Sequence, residues 1–396
     1  MNIAILGAGI IGVTTAYELS ADGHAVTVFE RRSSVAEEAS FAHAGMMGPG
    51  ASVPWDDLRR GAMKWPGDKQ PVSLSAHRLL MRRRQRELAI YSRTRFLEIA
   101  DRMAYHFDRS EGHLMLLRDT KDVRMAQTGL NDLRELGVAF HEITAEEARQ
   151  IEPALNPHTA LRGAVYLPQD EVGNCRQFAI ILRDAAQQLG ARFVFNAAVS
   201  RVLAPTASGA GGPAVLLAGE AGERHFDAIV VCAGMGSVEL LSAIGVQVPL
   251  QPVYGYSVSA AIPEPRHAPR SGVTDLARQV SITRHGKRVR VSGGLETGGA
   301  GQRINERAIN SLYAVLADWF PAAGRLSNGV QIWKGVRPTT PDDHPLIGSS
   351  GAQGVWLNLG HGGSGWALAC GSARVLADQM LGQAPAFDLP PPTWNR

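Results

Sequence analysis

Three glycines spaced as Gly7-Ala8-Gly9-Ile10-Ile11-Gly12 stand between an apolar run at residues 2–6 and a helix-compatible run at 13–20. That spacing suits a dinucleotide. Gly7 permits a tight turn, Gly9 lets backbone approach a pyrophosphate, and Gly12 lets helix pack on strand, while the helix N-terminus offers its N–H groups to the phosphates. Glu30 closes the next strand about 20 residues on, where a carboxylate grips a ribose hydroxyl, with Arg31 beside it. FAD and NAD share this fingerprint, so two later segments decide between them. The run from Phe226 to Cys232 is a buried strand ending in the small residues Ala233 and Gly234, which admit close approach by the adenosine end. Leu359-Gly360-His361-Gly362-Gly363-Ser364-Gly365-Trp366 is a glycine-rich turn between a strand and a helix. A second helix N-terminus there suits the negative charge that a reduced flavin carries near its N1–C2=O edge.

The elements that must position these residues follow from the hydrophobic pattern. Strand, turn, helix and strand over residues 2–30 make a βαβ unit. Residues 31–76 are irregular, and the pattern over 77–109 predicts a helix with an apolar stripe. Strands are expected at 112–118 and 163–167, with a helix over 123–136 that ends at Gly137. Thr144 and Glu147 form a capping box that opens another helix. Asn174 caps a helix to Leu189, and a strand at 191–196 begins a second αβ unit. An Ala/Gly hairpin at 207–222 precedes the strand at 228–232, residues 247–292 are β-rich, and 303–319 is a helix. A strand at 355–359 and a helix at about 364–381 complete the chain. The class is α/β.

At 396 residues the chain is long enough for two domains. Hydrophobic residues at 45%, charged residues at 19% and a mean hydropathy of -0.08 exclude wholesale disorder and a multi-span membrane protein. A net charge of +3 favours small anionic ligands and carries no nucleic-acid motif with it. Cys175, Cys232 and Cys370 are odd in number and far apart, which excludes a disulfide framework and a CxxC metal site. Asp342, Asp343 and His344 are adjacent in a proline-bounded turn and cannot easily converge on one ion, so no metal is expected and Asp342 caps the turn. The apolar start runs directly into the glycine motif without a basic leader, and a reducing, cytoplasmic location is expected. Arg78, Arg82, Arg83, Arg84, Arg86, Arg93 and Arg95 share one helix. They read as a solvated face or as a surface for peripheral contact with an anionic membrane at its inner face, with Trp55 and Trp65 nearby.

Beyond the fingerprint, a set of short motifs spans nearly the whole chain. They are Ala44-Gly45 with Pro49-Gly50 and Pro54-Trp55, Leu167-Pro168-Gln169-Asp170 with Gly173, Gly255-Tyr256-Ser257, Gly335-Val336-Arg337-Pro338-Thr339-Thr340-Pro341-Asp342, and Gly360-His361-Gly362 with Gly365-Trp366 and Ala369-Cys370-Gly371. By these the chain resembles the D-amino-acid oxidase-like FAD oxidoreductases, and within them the bacterial D-amino-acid dehydrogenases. The resemblance implies non-covalent FAD, a Rossmann-like FAD-binding domain formed by 1–50, 171–250 and 328–396, and an α+β substrate domain on a mixed sheet formed by 51–170 and 251–327. It extends the expected cofactor contacts to Ala44, Gly45, Met46, Val199 and Gly335 beside Gly360, His361, Gly362, Gly363, Ser364 and Gly365. The segment after Trp55 is shorter than in many such dehydrogenases, and Tyr254 and His43 depart from the polar groups that other members carry.

Oxidation of an α-amino acid removes a proton from the amine and a hydride from Cα, so the protein must hold the carboxylate, orient Cα–H and exclude water. Arg337, in a loop-like Gly-Val-Arg-Pro context, matches the family's substrate-carboxylate arginine and can bind both oxygens. Tyr256 and Tyr254 are expected to donate to the same carboxylate or line the pocket. His361 and His43 are expected near the flavin, hydrogen-bonding it or the substrate or tuning a proton transfer. The expected products are 2-oxo acids and ammonia, with electrons leaving to a quinone or another acceptor. Oxidation of glycine, sarcosine or D-proline, and a non-catalytic dinucleotide-binding module, remain open alternatives, as does the oligomeric state.

Overall fold

The computed structural model describes residues 1–52, 76–103, 106–205, 212–297 and 303–386. Strand β1 (Asn2–Leu6), helix α1 (Ile10–Ala21) and strand β2 (Ala25–Phe29) form the expected βαβ unit. The short strand β3 (Met46–Met47) precedes the long helix α2 (Ala76–Arg102), strand β4 (Arg109–Leu117) and helix α3 (Thr120–Glu135). Strand β5 (His141–Thr144), helix α4 (Ala145–Ile151), strand β6 (Gly163–Gly173) and helix α5 (Cys175–Gln188) come next. Strands β7 (Arg192–Val194), β8 (Val199–Leu203), β9 (Ala214–Leu217), β10 (Glu223–His225) and β11 (Ala228–Val231) lead to the short helix α6 (Ser237–Ser242). The last third holds β12 (Gln251–Ala261), β13 (Gly272–Asp275), β14 (Val280–His285), β15 (Arg288–Thr297), α7 (Glu306–Trp319), β16 (Gln331–Thr339), β17 (Leu346–Ser349), β18 (Val355–Leu359) and α8 (Gly365–Met380).

Among the described residues these strands make three sheets. One has six strands in the order β17-β18-β11-β1-β2-β7, parallel except for β17. Its central strands are buried over residues 3–6 and Ala228–Val231 because helices cover them, the usual state of a parallel sheet. Helix α1 packs there through Val13, Ala16 and Leu19, in one cluster with Phe178 and Leu182 of α5 and Leu368 and Leu376 of α8. Strands β10-β9-β8 form a small antiparallel sheet. The largest sheet runs β16-β12-β15-β14-β13-β4-β6-β3, with β5 also on β6, and is mixed because β13 and β4 are parallel. The fold is thus α/β, with a Rossmann-like unit and a second unit on a mixed sheet.

The two faces of the large sheet differ sharply. One face carries Leu114, Val273, Ile282, Val291, Tyr256 and Val258 against Leu312, Val315 and Trp319 of α7. The strand period of two therefore turns His113, Thr274, Ser281, Ser292 and Ser257 to the other face. That polar face is the floor of the cavity described below.

Several expectations change. The helix expected over 77–109 ends at Arg102, because Arg109 opens β4 and pairs with Gly173 of β6. Helix α2, expected with the substrate domain, buries Leu88, Ala89, Phe96 and Ile99 in the cluster of α1 and α8. Gly371 of α8 makes this approach close: a Cβ there would lie 2.8–3.0 Å from Ser92 atoms. The loop-like context expected for Arg337 is a strand, and β16, expected with the FAD-binding segments, pairs with β12 over Gln251–Ser259. Pro338 is tolerated because β16 lies at the sheet edge. Pro54, Trp55 and Trp65, residues 206–211 of the Ala/Gly hairpin and the Arg78 side chain lie outside the described residues.

Candidate functional site

A cavity of about 930 Å³ runs from the β1–α1 turn to the polar face of the large sheet. At its first end Gly7 adopts φ +101°, and a Cβ there would meet the Cys232 carbonyl oxygen at 2.7 Å. At Gly12 a Cβ would lie 1.9 Å from the Gly7 oxygen, so only glycine lets α1 sit this close to β1. Gly9 is different. Its nearest neighbour to such a Cβ is the Ser40 hydroxyl at 3.6 Å, which leaves the position open to a ligand, and Gly9 itself has no side chain to cap the helix it begins. Ser40 instead accepts from the Ile10 N–H at 3.1 Å. Glu30 accepts from Ala8 N–H at 2.7 Å and Arg32 N–H at 2.8 Å, which aims its carboxylate at the glycine turn. Ile11, Arg31, Val199, Ala233 and Gly234 line the same end; Arg31 is held by Glu38 at 2.6 Å.

Further along, Gly360, His361, Gly362, Gly363, Ser364 and Gly365 form a turn whose following helix, α8, also lacks a side-chain cap. Gly360 and Gly362 have φ of +82° and +54°. His361 is buried, and burial, aided by His344, lowers its pKa to about 3; its Nε2 is a buried atom without a protein partner among the described residues. Facing this turn, the 43–46 loop is held from both sides. His43 Nδ1 accepts from Gly45 N–H at 3.0 Å, leaving Nε2–H to donate to the Gly363 carbonyl at 3.4 Å. Burial and the nearby Arg337 charge lower the His43 pKa to about 4. The Ala44 carbonyl accepts from Thr283 at 2.8 Å, with His285 Nε2 3.2 Å away, and the His43 carbonyl accepts from Arg290 at 2.8 Å. Trp366 N–H reaches the Gly45 carbonyl at 3.2 Å. Gly45 must be glycine, since a Cβ would press on His285 at 2.5 Å. Burial lowers His285 to about 3 and Arg290 to about 10.

At the second end Arg337 faces the cavity from β16. Val253, Gly255 and Ser257 of β12 lie opposite Arg337, Gly335 and Trp333, so these six share the cavity face. Gly255 has a clear role there: a Cβ on it would lie 2.6 Å from Arg337 Nη2, so its absence lets the guanidinium fold over the strand. Tyr254 and Tyr256 alternate with these residues, and although Tyr256 is among the residues lining the cavity, its ring packs on the opposite face. Tyr256 is buried and its hydroxyl donates to Glu296, whereas Lys334 Nζ lies 4.5 Å from the Tyr254 ring centre. Arg337, His43, His361 and the glycine turn are therefore brought together, and the two tyrosine hydroxyl groups are not brought to Arg337.

Other sequence features have local explanations. Asp342 accepts from His344 N–H at 3.2 Å, a turn cap. The arginines of α2 largely serve ion pairs: Arg86 with Asp132 at 2.5 Å, Arg95 with Glu18 at 2.7 Å, and Arg83 and Arg84 with Glu87. Arg93 reaches Glu171 at 3.5 Å. Arg82 is buried and lines the cavity. The residues that sequence reasoning missed are Ser40, Thr283, His285, Arg290 and Trp333. Alternation along 333–337 against 253–257 was the available signal for Trp333, whereas Thr283, His285 and Arg290 become visible only once the strands are paired.

One continuous space thus joins a dinucleotide cradle to a sheet floor bearing a guanidinium, the arrangement of a flavin-dependent oxidoreductase. Residues 2–379 match the family described as DAO, FAD dependent oxidoreductase. The chain is 36% identical to a D-amino acid dehydrogenase of Bradyrhizobium diazoefficiens over 100% of this chain and 99% of that protein. Its fold is similar to glycine oxidase from Geobacillus kaustophilus, with a TM-score of 0.78, 22% identity and coverage of 98% and 96% of the two chains. L-proline dehydrogenase from P. horikoshii is similar at a TM-score of 0.73 and 18% identity, covering 97% and 94%. The chain belongs to the DAO family of FAD-dependent oxidoreductases, and its cofactor is FAD. The residues present fit that group: Gly9 is open where a pyrophosphate passes, two helix N-termini whose N-cap residues supply no side-chain cap face the cavity, and His361 Nε2 is a buried atom in need of a partner.

Proposed function

We propose that the protein oxidises D-amino acids to 2-oxo acids and ammonia and delivers the electrons to a quinone or another non-oxygen acceptor. One observation carries the reading: the Arg337 guanidinium, folded over Gly255, shares a cavity with the 360–365 turn. Relatives named D-amino acid dehydrogenase support the D series. Bound FAD supplies the acceptor for the hydride that leaves Cα. Gly7, Gly9, Gly12 and Glu30 hold its dinucleotide end, and the 43–46 loop and 360–365 turn hold the end at which substrate reacts. Arg337 grips the carboxylate with parallel N–H donors and so fixes Cα. His43 and His361 are uncharged at neutral pH and too weakly basic to keep the substrate's ammonium proton, which passes to water. They act as neutral walls and hydrogen-bonding groups.

Among the described residues no helix is long and apolar enough to cross a membrane. Contact with a membrane through α2 has little support, because its described arginines are largely spent on carboxylates. The experiment is anaerobic mixing of the flavin-loaded protein with D- and L-alanine. The expected result is bleaching of the flavin bands by the D-form alone. Bleaching by the L-form alone, or by neither this nor any other amino acid, would overturn the reading. Readmitting air then separates the alternatives: slow recovery in air with rapid recovery on adding a quinone supports a dehydrogenase, and rapid recovery in air supports an oxidase.

A further inference from the structure

We propose that the indole N–H of Trp333 is a second binding group for the substrate carboxylate, acting beside Arg337. This rests on the amino-acid reading above and adds to it a residue that neither fingerprint nor resemblance pointed to. Gly255 and Gly335 are direct partners across β12 and β16. Arg337 Nη2 lies over the first, 2.6 Å from where its Cβ would be, and Trp333 Nε1 lies over the second, 3.1 Å from where its Cβ would be. Opposed Cα atoms in an antiparallel pair are about 4.5–5.5 Å apart. The two donors therefore stand side by side on the cavity floor, within reach of one carboxylate that accepts a bond of about 2.9 Å from each.

Trp333 needs such a partner. Its Nε1 is a buried atom with no acceptor among the described residues, and an indole can only donate. Leaving a buried donor unpaired is costly, so an otherwise unused N–H beside a guanidinium marks a place for an anion. The ring is also held in plane: Phe41 packs on it with centroids 4.6 Å apart, and the Arg176 guanidinium lies 4.4 Å from the Phe41 ring centre. Tyr256 cannot take this part, because its hydroxyl is given to Glu296 on the far face of the sheet. The pair of glycines is what allows Trp333 to lie back along β16 and Arg337 to lie across onto β12 instead of standing away from the sheet.

The test uses the flavin-loaded protein and propionate, a carboxylate with no amine to oxidise, whose binding is read from the flavin spectrum, together with steady-state oxidation of D-alanine. Trp333→Phe keeps an aromatic ring beside Phe41 and removes the indole N–H together with part of the ring. It is expected to weaken propionate and raise KM by about ten- to hundredfold, with kcat little changed and the melting temperature close to that of the parent. Gly335→Ala gives an independent reading, because its methyl group pushes the indole N–H away and weakens propionate in the same direction. Unchanged propionate binding and KM in both variants would overturn the proposal. A loss of kcat or melting temperature with unchanged propionate binding would also overturn it, since that is the mark of a structural role. If the parent protein is reduced by D-alanine while the variants match it, only the Trp333 assignment fails. If no amino acid reduces the parent, the amino-acid reading itself fails.

Discussion

The two ends of the cavity recognise their ligands by opposite means. At the dinucleotide end the proposed recognising groups are backbone: the helix N-termini at Gly9 and Ser364, set among glycines such as Gly7 and Gly12 where side chains would collide. At the sheet end the proposed groups are side chains, Arg337 and Trp333, placed on one face by strand register. A backbone site is written in a contiguous stretch of sequence, and damage to it reaches the fold. A side-chain site depends on the face a strand presents and on the distant strand it packs beside, here β16 against β12, and damage to it is expected to reach binding before the fold.

That contrast can be broken in a definite order. Gly12→Val should act most strongly, because a Cβ at that position already lies 1.9 Å from the Gly7 oxygen. The expected loss is about 3 kcal/mol or more of stability together with bound FAD, read by thermal melting and flavin content. Next comes Arg337→Leu, which should raise KM for a D-amino acid on the order of a hundredfold while FAD content holds, since a charge-assisted clamp is removed. If FAD were lost instead, the separation of the two ends would be wrong. A smaller effect is expected from Gly255→Ala, which leaves every charge in place but displaces Arg337 Nη2 from its seat. Steady-state kinetics should show KM up by about tenfold with stability near the parent's, and unchanged kinetics would mean that the seat over Gly255 is not used.

The mildest prediction concerns pH and sharpens the comparison at the border between the two ends. Burial, the main cause in each case, lowers His43 to about 4 and both His285 and His361 to about 3, against an ordinary value of 6.5. The unfolded chain therefore binds protons at these positions below about pH 6.5 while the folded chain does not, and stability falls as pH falls from 6.5 towards 4. Thermal melting between pH 7 and 5 should show this decline, and His361→Asn should reduce its slope. An equal slope in parent and variant would contradict a buried neutral His361.

How much of this was legible in the sequence follows the same division. Gly7, Gly9, Gly12 and the 360–365 turn lie where a strand end meets a helix start, and Glu30 directly follows a strand, so local spacing determines their geometry. Arg337 was found through its motif, but its strand was not, because Gly335 and Pro338 both disfavour strand on propensity and only the edge position beside β12 tolerates them. Tyr254 and Tyr256 drew attention as phenols close to the right strand. The pleat turns them to the α7 face, and without the pairing register a one-residue difference in facing cannot be read. Thr283, His285 and Arg290 are over 230 residues from the loop they hold, so their part exists only in the folded chain.

The measurement that tests the central claim most directly is a crystal structure of the FAD-loaded protein with propionate bound. The account predicts the dinucleotide along Gly9 and Glu30, the flavin ring against the 360–365 turn, and the carboxylate over the Gly255–Gly335 pair within hydrogen-bonding distance of Arg337. A carboxylate bound elsewhere, with Arg337 engaged only by protein atoms, would contradict it.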